Sequence, residues 1–157
     1  MSETFVVVRI RGKTGMRKDT KQAMQMIRLY NKNHCVLLEN TKPNHGTLKK
    51  IKDYITWGEI DEPTLHELLQ KRGRLPGNKP LTEAYLKEKI KLSVEEFSKE
   101  LVIAKKKMKD VPGLKGFFRL KPPQGGFERG GIKKHFSLGG VLGYRGTKIN
   151  QLIKRML

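Results

Sequence analysis

The last third of the chain, residues 105–157, is the part that most restricts how the protein can fold. It contains fourteen Lys or Arg residues and two acids, and ten of the sixteen glycines lie between positions 113 and 146. Glycine loses more backbone freedom on folding than any other residue, and like charges repel each other. We therefore expect the segment to bury too little apolar surface to order itself, and predict that much of 113–146 stays mobile until a polyanion binds it.

Aromatic residues are interleaved with the positive charges of this segment. Cations neutralise phosphates, aromatic rings stack on bases, and glycines allow the backbone to approach a ligand closely. The combination indicates RNA as the first candidate for the polyanion. The aromatic residues are Phe117, Phe118, Phe127, Phe136 and Tyr144.

The charge is unevenly distributed along the chain. The formal net charge is +19, and it divides into +7 for residues 1–60, zero for 61–104 and +12 for 105–157. A chain that was basic only for solubility would not have a neutral middle, so the distribution favours anionic partners for the two ends. No apolar run approaches membrane-spanning length, and no strongly amphipathic basic helix is predicted, so we expect no membrane partner.

The single cysteine and the N-terminus indicate an intracellular protein. Cys35 cannot form an internal disulfide, and its apolar neighbours, residues 36–38, predict a buried, unreactive thiol. Residues 1–4 lack a charged n-region, and the apolar run at 5–8 is too short for a signal peptide.

The first sixty residues have a βαβαβ pattern. Strands are predicted over 5–11, 35–39 and 54–57, with Gly12 and Gly58 ending the first and third. A helix is expected over 17–30, and a shorter one follows the 40–46 loop. In the first strand, Arg9 and Arg11 share the face opposite Val6, Val8 and Ile10, so we expect both arginines to point outward. The pattern predicts an α+β fold, a small sheet with helices on one face.

The neutral middle is predicted to be helical. Pro63 and Gly73 mark the two ends of its first helix, and a second helix runs over 82–90. Ser93 and Glu96 form a capping-box pattern for a third helix, whose apolar stripe continues to a stop at Pro112. After the glycine-rich tract, a strand over 117–120 and a terminal helix capped by Thr147 are expected. The predicted parts are a core (1–60), a helical extension (61–112) and a basic segment (113–157).

Catalytic and metal-binding patterns are incomplete. Gly12-Lys13-Thr14 follows a strand like the end of a phosphate-binding loop, but the required first glycine is replaced by Val7. The four histidines are scattered, and with one cysteine they have no metal-binding spacing. No nucleophile has an obvious base beside it. We therefore expect no enzyme activity, cofactor or metal.

Several short segments together give the chain a resemblance to the large-subunit ribosomal protein L-thirty family, in its long archaeal and eukaryotic form. The bacterial form is similar only to the first sixty residues, whereas the long form covers the whole chain. The matching segments are Val8-Arg9-Ile10-Arg11-Gly12, Tyr54-Ile55-Thr56-Trp57-Gly58, Glu67-Leu68-Leu69-Gln70-Lys71-Arg72-Gly73, Phe118-Arg119-Leu120, Gly125-Gly126, His135-Phe136 with Gly139-Gly140, and Ile149-Asn150-Gln151-Leu152-Ile153-Lys154-Arg155-Met156.

The resemblance implies a structural constituent of the large ribosomal subunit that contacts large-subunit and 5S ribosomal RNA. It also implies a ferredoxin-like core with the extension packed on it, neighbouring ribosomal proteins as partners, no homo-oligomer and a cytoplasmic location. The long basic N-terminal tail of eukaryotic members is absent, which favours the archaeal type. Arg145 matches the family, but Gly146-Thr147-Lys148 departs from it.

We predict two groups of RNA contacts, in which basic side chains mainly position phosphates. Phe127 and Phe136 are stacking candidates, with packing onto the core as the alternative for both rings. The first basic group is Arg9, Arg11, Lys13, Arg17 and Lys18. The second basic group is Lys121, Arg129, Lys133, Lys134, His135 and Arg145.

Two other functions use the same residues. A free RNA chaperone or ribosome-assembly factor would bind RNA transiently through the same surface. A phosphate-handling enzyme would instead depend on Gly12-Lys13-Thr14. Stable retention on the large subunit would favour a structural role over the chaperone or assembly factor. Nucleotide binding that Lys13→Ala abolishes would support the phosphate-handling enzyme.

Overall fold

The structure, a computed structural model, describes residues 4–157. Residues 1–3, which belong to the N-terminal stretch that we expect not to be a signal peptide, lie outside the described residues. Within 4–157, five strands form one sheet, with six α-helices around it. The strands are β1 (Thr4–Arg9), β2 (His34–Glu39), β3 (Ile55–Glu59), β4 (Phe118–Arg119) and β5 (Gly143–Tyr144). The helices are α1 (Lys18–Met26), α2 (Lys42–Ile51), α3 (Glu62–Arg72), α4 (Glu83–Ile90), α5 (Val94–Val102) and α6 (Ile149–Met156).

The sheet has the strand order β4-β2-β1-β3-β5. The central strand β1 is antiparallel to both neighbours, with Val7 opposite Val36 on β2 and Trp57 on β3. The α+β fold and the βαβαβ order of the first sixty residues are thus confirmed. The two short strands of the last third extend the sheet, β4 antiparallel beside β2 and β5 parallel beside β3.

Helices cover both faces of this sheet. On one face, Phe5 and Val7 pack with Met24 of α1 and with Leu48 and Ile51 of α2. This is the single helical layer that the βαβαβ pattern predicts. Because alternate residues of a strand point to opposite faces, Val6 and Val8 must have a second apolar layer to be buried.

The helical extension and the terminal helix provide that second layer. Val6, Val8 and Ile10 belong to a separate cluster of buried residues, which we call the second core cluster. Its other members include Leu65 of α3, Phe97 of α5 and Leu152 of α6. Every residue of β1 is consequently buried. Two covered faces explain why residues 5–8 form a continuous apolar run without an apolar–polar alternation.

The last third buries more apolar surface than expected. Phe118, Val141 and Leu142 are almost completely buried in the second core cluster, and Leu114 and Leu120 are also part of it. Glycine turns separate these residues, so the tract contributes scattered apolar anchors instead of one continuous stripe. The structure therefore gives the tract defined contacts with the core.

Helix α5 ends at Val102, ten residues before the predicted stop at Pro112. Ala104 adopts a left-handed conformation with φ 58°. Its N–H donates to the Leu101 carbonyl at 3.2 Å, and the Lys105 N–H donates to the Glu100 carbonyl at 2.9 Å. This pair of bonds is the Schellman ending usually made with glycine. The predicted continuation of this helix and its apolar stripe to Pro112 was wrong, and Met108, which we expected on that stripe, is buried from a separate 3-10 turn.

Gly58 lies inside β3 and does not end it, contrary to our prediction. A Cβ atom at this position would collide with the backbone carbonyl of Gly146. The glycine thus allows the 3-10 turn Gly146–Lys148 to lie directly against β3. The cap predicted at Thr147 was also wrong, since this turn precedes α6 and the Thr147 side chain makes no capping bond.

Two helix boundaries in the first sixty residues also differ from the prediction. Helix α1 ends at Met26, before the predicted Tyr30, because Arg28 adopts a left-handed conformation with φ 64°. Helix α2 begins at Lys42, inside the predicted loop, with Pro43 in its first turn. Proline suits that place because its missing N–H has no helical acceptor there. The Ser93–Glu96 capping box is present as predicted.

Candidate nucleic-acid interface

The exposed part of the first basic group lies where β1 ends and α1 begins. Lys13, Arg17 and Lys18 are exposed, and their side chains form no hydrogen bond or ion pair with any residue in 4–157. Arg11 is partly exposed. It donates from Nη1 to the Asp53 carbonyl at 3.2 Å, and its guanidinium lies 5.0 Å from the centre of the Tyr54 ring.

Arg9 does not point outward as expected and is only 2% exposed. Its guanidinium donates to the carbonyls of Arg11 at 2.9 Å, Leu29 at 2.7 Å and Gly12 at 3.1 Å. Burial lowers the pKa of this guanidinium. Arg9 thus directs its charge at backbone carbonyls of the two segments that follow α1 and β1, and holds these segments together.

Four bases of the second basic group are exposed. No described residue pairs with the side chain of any of them. With their charges uncompensated on the protein, they are free to neutralise phosphates. These bases are Lys121, Arg129, Lys133 and Lys134.

Asp53 lies between the two basic groups. His135 places Nε2 3.3 Å from Asp53 Oδ1, while Arg11 donates to the carbonyl of the same aspartate. His135 also pairs with Leu142 in an isolated bridge, and its ring approaches Gly143 at the start of β5. The structure therefore brings the tract around Lys133 and Lys134 to the same end of the sheet as Arg11.

Arg145, which we predicted as an RNA contact, is buried. Its Nε donates to Thr56 Oγ1 at 2.8 Å, one Nη donates to the Val141 carbonyl at 2.7 Å, and Glu128 accepts from the other at 2.8 Å. The Thr56 hydroxyl in turn donates to the Gly143 carbonyl at 3.0 Å. Arg145 thus ties β5 and the glycine-rich tract to β3.

The two predicted stacking rings have different surroundings. Phe127 is partly buried and packs against the second core cluster, which is the alternative left open by the sequence. Phe136 is also partly buried, with the Arg145 guanidinium 4.7 Å and the Lys148 ammonium 5.6 Å from its ring centre. These cation–π contacts occupy the neighbourhood of the ring that a base would need.

Tyr144 is a more accessible ring that our stacking prediction did not include. It is 53% exposed and lies beside Trp57, with ring centres 6.3 Å apart. Its hydroxyl donates to Glu59 Oε1 at 2.5 Å, and this bond raises the pKa of Tyr144. The outward alternation of residues in β5 would have indicated this exposure, but a two-residue strand is too short to recognise.

A second cationic feature, also missed from the sequence, is a cavity of about 180 Å³ lined by Arg72, Arg74, Asn78 and Arg119. No acid lines it. Arg72 Nε is buried without a hydrogen-bond partner among residues 4–157. Arg72 donates from Nη2 to the backbone oxygen of Leu157, and Arg74 donates from Nη1 to the Gly73 carbonyl at 3.2 Å. The remaining N–H groups of the three arginines line the cavity without an Asp or Glu side chain and are a suitable site for an oxyanion. The signal was hidden because Arg72 and Arg74 belong to the segment whose charges sum to zero.

Within 4–157, no group of three His, Cys, Asp or Glu side chains is arranged to hold a metal ion. No helix in the same range is long and apolar enough to cross a membrane. Cys35 is buried as predicted, and burial strongly raises the pKa of its thiol.

Sequence comparison identifies relatives along almost the whole chain. The family model described as ribosomal protein L30p/L7e matches residues 5–55. The chain is 50% identical to the large ribosomal subunit protein uL30 of Methanococcus maripaludis, over 98% of this chain and 99% of that protein. It is 48% identical to the uL30 proteins of Methanopyrus kandleri, over 94% and 100%, and of Nanoarchaeum equitans, over 98% and 98%.

Proposed function

Since the chain belongs to the family of the large ribosomal subunit protein uL30, in its archaeal type, we propose that it is a structural constituent of the large ribosomal subunit and binds ribosomal RNA there. The observation that carries this proposal is the meeting of the two basic groups around Asp53. Exposed, unpaired bases from β1–α1 and from the glycine-rich tract then lie at one end of the sheet. The role is structural and not enzymatic.

Phosphate contacts account for most of the binding. Lys13, Arg17 and Lys18 on one side, and Lys133 and Lys134 on the other, are exposed cations with no acidic partner in 4–157. Contacts of this type fix the position of the protein on RNA without reading its sequence. Arg9 and Arg145 support the surface from inside, because their guanidinium groups are already saturated by protein acceptors.

The arginine cavity adds a separate phosphate position. Arg72, Arg74 and Arg119 converge on it without a carboxylate, so an RNA phosphate would compensate three positive charges at once. We include this cavity in the proposed RNA interface even though two of its arginines come from the neutral segment.

Several finer features belong to the same proposal. The RNAs are the large-subunit ribosomal RNA and the 5S ribosomal RNA, and the protein acts as a single copy in the cytoplasm beside other ribosomal proteins. Residues 1–60 form the RNA-binding core, 61–112 the helical extension and 113–157 the basic RNA-binding segment. The resemblance supports the 5S contact and the charge distribution supports the division.

A native extract separated on a sucrose gradient after a high-salt wash tests the function. Mass spectrometry should find one copy of the protein per large subunit, and crosslinking should map its neighbours to large-subunit and 5S RNA. Presence only in free or pre-ribosomal fractions would favour the assembly-factor alternative. Absence from every RNA-containing fraction would contradict both functions.

A further inference from the structure

The outer edge of β2 is only partly paired. β4 pairs with His34 and Cys35, and no other described strand lies on that side of residues 36–39. An unpaired strand edge presents N–H and C=O groups to which another extended chain can bond. The Glu39 carbonyl is already occupied, because it accepts from the Thr41 N–H at 2.9 Å and from Asn44 Nδ2 at 2.8 Å, so an added strand would bond to the other backbone groups of this edge. The position therefore has the backbone geometry of a strand-addition site.

A cavity of about 390 Å³ adjoins this open edge. It lies between the end of α1, the edge of β2 and the segment that leads to β4. Ile27, Leu38 and Met108 give it an apolar lining. Met26 at its margin is 79% exposed, an unusual exposure for a large apolar side chain at the end of a helix. The site thus combines an apolar lining with a strand edge that can form backbone hydrogen bonds to another chain.

The charged residues that line the groove are mainly basic. Four bases and one acid contribute, namely Arg28, Lys106, Lys107, Lys109 and Glu39. Lys107 Nζ lies 2.7 Å from Glu39 Oε1, which neutralises the acid. The Arg28 and Lys109 side chains have no hydrogen-bond or ion-pair partner among residues 4–157, and both residues are exposed. A bound segment would therefore be favoured by acidic side chains.

We propose that this groove binds an extended acidic segment of a neighbouring protein, which adds to the sheet as a strand beside residues 36–39 of β2. Its backbone would pair with β2, alternate apolar side chains would fill the groove, and acidic side chains would face Arg28 and Lys109. RNA fits this site less well, because it has no peptide backbone for the strand edge and gains little from the apolar lining. That the neighbour is a ribosomal protein rests on the proposed function.

A titration of the free full-length chain tests the groove without depending on the ribosome. The probe is a synthetic peptide of alternating Glu and Val residues, followed by backbone amide NMR. The amides of 36–39 should shift in a saturable manner. Arg28→Glu combined with Lys109→Glu should weaken binding about three- to tenfold, as expected for two exposed charge contacts. Lys154→Glu, a reversal of an exposed charge on α6, should leave the affinity unchanged.

Two control peptides test whether binding depends on the charge of the peptide and on its backbone hydrogen bonds. A peptide of alternating Lys and Val should bind the double variant better than the unmodified chain, because the charges are then complementary. A Glu–Val peptide N-methylated at every residue should lose binding, since neither of its edges can then donate backbone hydrogen bonds to β2. Absence of saturable shifts at 36–39 would overturn the proposal. So would a uridine oligonucleotide that binds the same amides as tightly as the acidic peptide.

Discussion

The guanidinium of Arg145 and the carboxylate of Glu128 form a two-pronged ion pair, with oxygen–nitrogen distances of 2.8 Å and 3.5 Å. The Arg145 side chain is 1% exposed. The pair closes a loop of 17 positions, and Arg129, Lys133, Lys134 and His135 lie inside that loop. Because Arg145 also bonds to Thr56 of β3, the ion pair connects the sheet to the loop that carries these four members of the second basic group.

Glu128→Ala should destabilise the protein because it leaves the Arg145 charge buried without its carboxylate. Removal of one partner of a buried pair costs about 3–5 kcal/mol, and the partial exposure of Glu128 reduces our expectation to about 2–4 kcal/mol. Urea unfolding measures the difference. Glu88→Ala, which removes an exposed acid from α4, should change the free energy of unfolding by less than about 1 kcal/mol. Equal losses for the two variants would show that the pair does not anchor the loop.

Lys133→Ala combined with Lys134→Ala should weaken RNA binding and flatten its dependence on salt. Each lost phosphate contact reduces the slope of log affinity against log salt by about 0.7 to 0.9. Filter binding to large-subunit ribosomal RNA over a series of KCl concentrations gives the slope. Lys87→Ala on α4 is the control and should keep it. An unchanged slope in the double variant would remove these lysines from the interface.

Arg74→Ala and Arg119→Ala test the arginine cavity in the same assay. If one RNA phosphate occupies the cavity, either variant should lower the slope by about 0.7 to 0.9, and the pair should lower it by little more than one variant alone. Two independent surface contacts would instead give additive losses. Full affinity and an unchanged slope in both variants would mean that the cavity holds no phosphate.

The sequence predicted the architecture of the first sixty residues well because its signals there are local. A β-branched run such as 5–8 and a following amphipathic helix each identify an element from neighbouring residues. The capping pair Ser93–Glu96 is a local signal of the same kind in the helical extension. β4 lies inside the strand predicted over 117–120, whereas β5 was not predicted. Their position depends on pairing with β2 and β3, which are distant in sequence.

The candidate surface was predicted in composition but not residue by residue. Arg9 and Arg145 have the same charge as Lys133, yet their guanidinium groups meet carbonyl and carboxylate acceptors supplied by other parts of the chain. Such tertiary acceptors are invisible in a count of charges. For the same reason, Arg72 and Arg74 were overlooked, because nearby acids in the sequence do not line the cavity.

His34 should make stability decrease as the solution becomes acidic. Burial is the largest cause that lowers the pKa of this imidazole, and the positive charges of Arg119, Arg9 and Lys13 act in the same direction. The unfolded chain therefore takes up a proton that the native state resists. Stability is retained above the ordinary histidine pKa of about 6.5 and is lost as pH falls from there toward the lowered native value.

His34→Phe keeps a ring that can stack on Phe117, whose centre lies 5.0 Å from that of His34, and it removes the titration. Between pH 7 and 5, the free energy of unfolding should fall more steeply for the unmodified chain than for the variant. One proton limits this difference to about 1.4 kcal/mol per pH unit. His66→Phe on α3 serves as the comparison. Parallel curves for the unmodified chain and His34→Phe would contradict the assignment.

Limited trypsin digestion should cut the free protein first within the loop that Arg145 closes. Arg129, Lys133 and Lys134 are exposed in glycine-rich backbone, whereas Arg145 is buried and bonded to Thr56. A protease needs local opening of the backbone, and none of residues 128–139 is buried, so we expect this stretch to open readily. The mass of the early fragments identifies the cut sites. Lys87 on α4 is exposed too, but helical backbone should delay cleavage there.

RNA should then protect the same three sites if it orders the tract. Addition of large-subunit ribosomal RNA should slow cleavage at Arg129, Lys133 and Lys134 by at least about tenfold, the result of about 1.4 kcal/mol of added local stability. Cleavage at Lys87 should keep its rate, because α4 lies outside the proposed contacts. Early cleavage at Arg145 in the free protein would mean that the Glu128 pair does not hold β5 on the sheet. Full resistance of the whole tract without RNA would mean that the packing of Val141 and Leu142 suffices to order it, and that RNA binds a preformed surface.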